Sequence, residues 1–127
     1  MRKLIARWIE RKIVEDTRRK IGREAKKIDG RILDLGCGER GSFDYGNLEV
    51  IGADKYKEKL RLLKIRKKVV ADAEERLPFK SKEFDAVVYS GVIQYLKNYE
   101  KSIREINRIL KSNGKLILAT VNRESLF

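Results

Sequence analysis

The sequence predicts an α/β fold, in which helices cover both faces of a mostly parallel sheet, and three observations support this prediction. Short apolar runs recur along the 127 residues and alternate with segments of helical periodicity. This alternation is typical of a parallel sheet with right-handed crossovers. Three of the first four runs end in or near an aspartate, and the first leads into a glycine-rich loop. Ligands bind at that edge of an open parallel sheet.

The first predicted element is a basic amphipathic helix over residues 2–28. Its apolar residues draw one stripe at helical spacing, formed by Leu4, Ile5, Trp8, Ile9, Ile13, Val14, Ile21, Ala25 and Ile28. We interpret this stripe as a face that docks on the sheet, with Trp8 in the core. A helix lying on a membrane surface is the alternative interpretation. Asp29 and Gly30 end the helix.

The remaining elements follow in a regular order. Strands are predicted at 31–35, 48–53, 68–71, 84–89 and 115–121, and helices at 56–66 and 99–110. Residues 36–47 contain four glycines and are predicted as a loop. Gly114 is expected to end the last helix in a left-handed conformation. We expect one domain over 1–127, with the helix of 1–29 preceding a ligand-binding core of 30–122.

The net charge of +12 is concentrated in two segments. Residues 1–30 carry eleven basic and five acidic side chains, and residues 55–68 carry eight and one. Such a field attracts nucleic acid, anionic lipid or an acidic protein, so nucleic acid is a candidate partner. The alternative interpretation, to which we give equal weight, is that both basic segments are solvent-exposed helix faces that bind no partner.

The chain has one cysteine and no histidine. It therefore forms no internal disulfide, and we expect a cytoplasmic protein. No apolar run approaches the roughly 20 residues that span a bilayer. Without histidine to activate it, Cys37 is expected to be a small packing residue, and no metal site is predicted. The high charge and scarcity of amides favour a heat-adapted source.

The glycine-rich loop narrows the class of ligand. Gly36, Gly38 and Gly41 satisfy the G-x-G-x-x-G dinucleotide pattern. The residues that follow form a poor helix, however, and Glu39 would repel a phosphate, so the pattern disfavours a dinucleotide. Asp34, two residues before the first glycine, suits a ligand with an amino group. Asp54 and Asp72 follow the next two strands and suit further hydroxyl or amino donors.

Five segments in order resemble motifs of class I S-adenosylmethionine-dependent methyltransferases, in particular the type 11 branch. They are R-I-L-D-L-G-C-G from residue 31, V-I-G-A-D from 50, V-V-A-D-A-E-E-R-L-P-F from 69, F-D-A-V-V-Y-S-G-V-I-Q-Y-L from 84 and R-E-I-N-R-I-L-K-S-N-G-K-L-I-L from 104. The resemblance covers about residues 30–122. It implies a Rossmann-like sheet of order 3-2-1-4-5 and S-adenosylmethionine as cofactor, with S-adenosylhomocysteine as product.

The resemblance also implies roles for the first part of the site. Asp34 would lie near the amino group of the methionine moiety, and Gly36, Cys37 and Gly38 would pass beneath it. Asp54 would accept hydrogen bonds from the ribose hydroxyls. These roles agree with the ligand chemistry expected from the residues themselves.

The later motifs imply the rest of the site. Lys55 would flank the adenine, Asp72 would meet its amino group, and Ala73 would present backbone to the ring. Tyr89 and Ser90 would face the sulfonium and the methyl acceptor. No catalytic base is predicted, because a sulfonium is already an activated methyl donor.

The sequence departs from the family after the fifth strand, where relatives usually continue through two more strands. We therefore expect a second copy or a partner chain to cover the edge of the fifth strand. The leading functional hypothesis is a methyltransferase whose acceptor the sequence does not identify. The alternatives are a cofactor-binding or regulatory subunit that needs a partner, and a nicotinamide-dependent dehydrogenase.

Overall fold

The computed structural model describes residues 2–120 and contains one five-stranded sheet. Its elements are α1 (Arg2–Ala25), β1 (Arg31–Leu35), β2 (Glu49–Asp54), α2 (Lys57–Leu62), β3 (Lys68–Val70), β4 (Phe84–Ser90), a 3-10 helix (Ile93–Tyr95), α3 (Tyr99–Ile109) and β5 (Leu110–Ala119). All strand pairs are parallel and the order is β3-β2-β1-β4-β5. The Rossmann-like fold is therefore confirmed. The strand order reverses between β1 and β4, where ligands bind in such sheets.

Helices cover both faces of the sheet. Alternate side chains of a strand point to opposite faces, so Ile32 packs beneath α1 whereas Leu33 packs on the side of α3. Helix α2 lies on the same side as α1, because Tyr45 and Ile65 contact the clusters of both helices. Strands buried on both faces explain the nearly continuous apolar runs of β1, β2 and β4.

Helix α1 docks on the sheet only through its carboxyl-terminal part. It ends at Ala25 rather than residue 28, and only Ile21 and Ala25 are buried. The expectation that Trp8 packs in the core is wrong, because 61% of this residue is exposed. A 24-residue helix is about 36 Å long, whereas a five-residue strand such as β1 is about 17 Å long. No helix within residues 2–120 has the length and hydropathy to cross a bilayer.

The left-handed helix end predicted at Gly114 is also wrong. Strand β5 begins at Leu110, directly after α3, and Gly114 does not take a positive φ. Leu110 pairs with Phe84 and Lys115 with Ala86, so residues 111–114 form an irregularity opposite a single residue of β4. The regular ladder starts at Lys115 as the sequence predicted. Val121, the last residue of the predicted strand, lies outside the described residues.

Candidate functional site

A cleft of about 320 Å³ opens at the carboxyl ends of β1, β2, β3 and β4. We call it the strand-end cleft. It is lined by Leu35, Gly36, Gly38, Asp54, Lys55, Tyr56, Lys59, Ala71, Asp72, Ala73, Glu74, Ser90, Gly91, Val92, Tyr95 and Leu96. Seven of the ten residues predicted to bind a cofactor are among them.

The glycine loop forms one wall of the strand-end cleft with bare backbone. The amide groups of Gly36 and Cys37 both donate to the carbonyl oxygen of Ala53, at 2.7 and 3.0 Å, which ties the loop to the end of β2. Gly36 has a φ of +77°, and a Cβ there would lie 2.4 Å from Cγ2 of Val92. Gly38 has a φ of +63° and nothing within 4 Å of its added Cβ. The loop therefore needs glycine and leaves open space beside Gly38.

Asp54 connects the glycine loop to the end of β2. It is 7% exposed, and its Oδ2 accepts a hydrogen bond from the amide of Gly38 at 2.9 Å. Its Oδ1 accepts one from the amide of Tyr56, also at 2.9 Å. Each carboxylate oxygen has a second lone pair, so Asp54 can still accept hydrogen bonds from a ligand in the cleft.

Another part of the cleft wall combines an acidic turn with an aromatic ring. Oδ1 of Asp72 accepts a hydrogen bond from the amide of Glu74 at 2.9 Å, which fixes the turn that follows β3. The Nζ atoms of Lys55 and Lys59 lie 5.1 and 5.0 Å from the centre of the Tyr56 ring. This wall can accept hydrogen bonds and also offers a flat apolar surface.

Asp34 lies behind the glycine loop rather than on the cleft surface. It is fully buried and accepts hydrogen bonds from the amide and hydroxyl of Ser42, at 2.7 and 2.6 Å, and from the hydroxyl of Tyr45 at 2.6 Å. Burial raises the pKa of this carboxyl, while the three hydrogen bonds oppose the rise. The structure therefore gives Asp34 protein partners and does not bring it to the lining of the cleft.

Cys37 and Tyr89 also lie outside the lining. Cys37 is buried, and burial raises the pKa of its thiol to about 12, so it is protonated at neutral pH. Tyr89 is fully buried on the α3 side of the sheet, and its hydroxyl hydrogen bonds with that of Ser102 at 2.7 Å. Ser90, the next residue along β4, does line the cleft.

Several lining residues were missed by the sequence analysis. Tyr56 and Glu74 each follow a predicted aspartate by two residues, and that position beyond a strand end could have indicated them. Val92 is brought to Gly36 by the fold alone, and no local pattern points to it. Tyr95 ends the 3-10 helix and is 62% exposed.

A second compartment of about 390 Å³ adjoins the strand-end cleft. The two share Ser90, Gly91 and Tyr95. The far wall of this second compartment comes from α1, and its full lining is Glu10, Ile13, Val14, Thr17, Arg18, Arg40, Gly41, Ser42, Ser90, Gly91, Gln94 and Tyr95. Two ligands could thus lie on either side of the end of β4.

Comparison with known proteins identifies the family. The model of a methyltransferase domain of type 11 matches residues 33–118. An uncharacterized protein of Methanocaldococcus jannaschii is 32% identical over 125 residues, which cover 98% of this chain and 55% of that protein. The mitochondrial ubiquinone biosynthesis O-methyltransferase of Rattus norvegicus is 32% identical over 116 residues, covering 80% of this chain and 34% of that enzyme.

A solved structure supports the same assignment. A methyltransferase of Thermotoga maritima, described as dependent on S-adenosylmethionine and as a possible histamine N-methyltransferase, superposes with a TM-score of 0.69 at 25% identity. The match covers 98% of this chain and 63% of that one. The chain thus spans about half the length of the first curated relative and less than two thirds of this structure. With the matched segment running from β1 to β5, the chain belongs to the type 11 family of class I methyltransferase domains.

Proposed function

We propose that the strand-end cleft binds S-adenosylmethionine and that the domain transfers its methyl group to an acceptor in the second compartment. One observation carries this proposal: in a chain of this family, bare glycine backbone and two strand-end carboxylates converge on one cleft. Open space beside Gly38 and lone pairs on Asp54 fit a ligand with hydroxyl and amino donors.

Each part of the cofactor has a matching part of the cleft. Asp54 would accept hydrogen bonds from the ribose hydroxyls. Asp72 and Ala73 would meet the adenine, whose ring would lie near Lys55 and Tyr56. The backbone of Gly36 and Gly38 would accommodate the methionine moiety.

Asp34 would act on the cofactor through the loop. Its hydrogen bonds to Ser42 and Tyr45 hold the segment that returns from the glycines. The amide of Gly41 donates to the carbonyl oxygen of Cys37 at 3.0 Å, so this segment is tied directly to the loop. We therefore propose Asp34 and Cys37 as residues that position the loop, and Tyr89 as a residue that supports the end of β4.

Methyl transfer would take place at the end of β4. A bound sulfonium supplies an activated methyl group, so the protein needs chiefly to align the acceptor and exclude water. Ser90, Gly91 and Tyr95 lie between the two compartments and would border the line of transfer. An acceptor in the second compartment would approach from the side of α1.

Calorimetric titration with S-adenosylmethionine, S-adenosylhomocysteine and NAD tests the proposal. We expect the first two to bind and NAD not to bind. Asp54→Ala removes a charged hydrogen-bond acceptor, and such bonds are worth roughly 1.5–3 kcal/mol, so affinity should fall roughly 10- to 100-fold. Asp29→Ala, which removes an exposed carboxylate outside the cleft, should bind as wild type. Equal affinity in both variants would refute the ribose contact.

A cofactor-binding subunit that needs a partner chain is the second candidate. It is favoured by Leu116 and Leu118, which are 37% and 48% exposed on β5, where a second copy or a partner could pair. Two measurements on the isolated chain separate the two candidates. Sedimentation gives its oligomeric state, and transfer of a radiolabelled methyl group into a size-fractionated cell extract gives its activity. Transfer by the monomeric chain would exclude the need for a partner.

A further inference from the structure

The structure gathers basic side chains from two distant segments around one groove. The groove has a volume of about 900 Å³ and lies between α1, the loop after the glycines and the end of α2. We call it the basic groove. Its charged residues are six cations, Arg18, Arg19, Arg23, Lys26, Arg40 and Lys64, and three acids, Glu15, Glu39 and Asp44. The groove therefore has a net positive charge.

Internal ion pairs leave part of this charge available. Arg40 pairs with Glu15 at 3.1 Å, and Arg18 donates to the carbonyl oxygen of Gly41. Among residues 2–120, Arg23, Lys26 and Lys64 form no ion pair, and all three are exposed. Lys64 comes from the second basic segment of the sequence and the other two come from the first. Only the packing of α1 and α2 on one face of the sheet brings them together.

The basic groove continues into the proposed acceptor compartment. Arg18 and Arg40 line both the groove and the second compartment. That compartment in turn shares Ser90, Gly91 and Tyr95 with the strand-end cleft. A long anionic ligand in the groove would thus reach the end of β4 without crossing the body of the protein.

Two exposed aromatic rings lie beside this path. Trp8 is 61% exposed and lines a shallow depression that shares Glu15 and Arg19 with the basic groove. Tyr95, which lines both the second compartment and the strand-end cleft, is 62% exposed. Cationic grooves flanked by aromatic rings bind single-stranded nucleic acids, because phosphates meet the cations and bases stack on the rings. Four of the six cations are arginines, whose planar guanidinium matches phosphate oxygens.

We propose that the basic groove binds single-stranded nucleic acid and delivers one nucleotide to the second compartment. Binding of nucleic acid in the groove does not require the cofactor. The identification of a nucleotide as the methyl acceptor does rest on the function proposed above. An acidic polypeptide would satisfy the cations but would leave the exposed rings unused. An anionic membrane would not enter a concave groove.

Binding of a fluorescein-labelled single-stranded RNA of about 20 nucleotides, followed by anisotropy without cofactor, tests the proposal. We expect affinity to fall steeply with salt. The triple variant Arg23→Ala/Lys26→Ala/Lys64→Ala should bind at least about tenfold more weakly and lower the slope of log K against log salt by about 2, since each phosphate contact contributes about 0.7 for single strands. The control Lys80→Ala/Arg104→Ala/Lys115→Ala removes the same charge from exposed sites outside the groove and should resemble wild type.

Trp8 provides an independent signal, because it is the single tryptophan of the chain. RNA should quench its fluorescence, and Trp8→Leu should weaken binding roughly tenfold, as expected for one lost base stack. Equal weakening of the groove and control variants would overturn the proposal. So would unchanged Trp8 fluorescence at saturating RNA, or equal quenching by polyglutamate or phosphatidylserine vesicles. Both triple variants should bind cofactor as wild type, so a failed cofactor titration contradicts only the methyltransferase proposal.

Discussion

The strand-end cleft and the basic groove lie on either side of one loop and differ in how they are built. The cleft uses backbone and short acids at strand ends, Asp54 and Asp72 among them, whose positions the sheet fixes. The groove uses long cationic side chains on helix surfaces, such as Arg23 and Lys64. The first construction suits a small ligand with defined donors, and the second suits an extended anion. The two regions thus differ in the kind of ligand that each would recognise.

Asp34 lies between the two regions, because its partner Tyr45 lines the basic groove and its partner Ser42 follows Gly41, whose amide donates to Cys37 in the glycine loop of the cleft. We expect Asp34→Ala to lower the free energy of unfolding by about 3 kcal/mol, because it leaves three part-buried donors without an acceptor. Urea denaturation measures this change. Asp34→Asn keeps one acceptor oxygen and should cost less. A loss below about 1 kcal/mol for Asp34→Ala would show that the two regions do not share this support.

Acid should destabilise the α3 side of the sheet through Glu105, whereas the cations of the groove keep their charge. Arg108 donates to Glu105 at 2.8 Å and, with the amide of Leu77 at 2.7 Å, holds the pKa of that carboxyl at about 2, below its usual 4.5. A lowered folded-state pKa gives stability that is present above pH 4.5 and lost as pH falls towards 2.

The carboxyl of Glu105 is 13% exposed, so we expect this group to contribute about 2 kcal/mol to the fall in unfolding free energy across that window. Thermal denaturation of wild type and Glu105→Gln at pH 6, 4 and 2.5 measures it, as the difference between the two proteins at each pH. The difference should shrink in acid. A constant difference would contradict the role of the charge.

Substitutions at the two glycines of the cleft wall distinguish a packing contact from space available to a ligand. Gly36→Ala should destabilise the fold by about 2 kcal/mol, because its Cβ meets Val92 at 2.4 Å and its φ is positive. Gly38→Ala has the same conformational strain but an open surrounding, so it should cost about 1 kcal/mol. Its methyl group would instead occupy cofactor space and weaken binding. Melting and calorimetry on both variants check this, and equal stability losses would contradict the contact with Val92.

Much of the strand-end cleft could be predicted because strand periodicity and strand ends are local features. The apolar runs located all five strands, and the position after each strand indicated Asp54 and Asp72. Period-two alternation also explains why Tyr89 points into the α3 core while Ser90, at the strand end, reaches the cleft. The family motif implied a place at the site for both residues, because a motif match takes no account of this alternation.

The surroundings of Asp34 and the basic groove depend on contacts between distant segments. The loop turns Tyr45 back towards Asp34 because Phe43 is buried beneath α1, with the two rings edge to face at 4.9 Å. The apolar stripe predicted helix α1 but not how much of it packs on the sheet, because the strands are shorter than the helix. The charge segments were visible in the sequence, whereas their meeting in one groove follows only from the placement of α1 and α2 on the same face.

Salt should have the smallest effect of all on cofactor affinity, and it gives the sharpest contrast between the two regions. Cofactor affinity should change less than about twofold between roughly 50 and 300 mM KCl, because a small ligand held by hydrogen bonds in the cleft releases few counterions. RNA affinity should fall by orders of magnitude over the same range, since several phosphates would be neutralised in the groove. Paired calorimetric and anisotropy titrations compare the two on one preparation. Parallel salt slopes would mean that one electrostatic field governs both ligands, and the distinction between a strand-end site and a helix-surface site would have no functional basis.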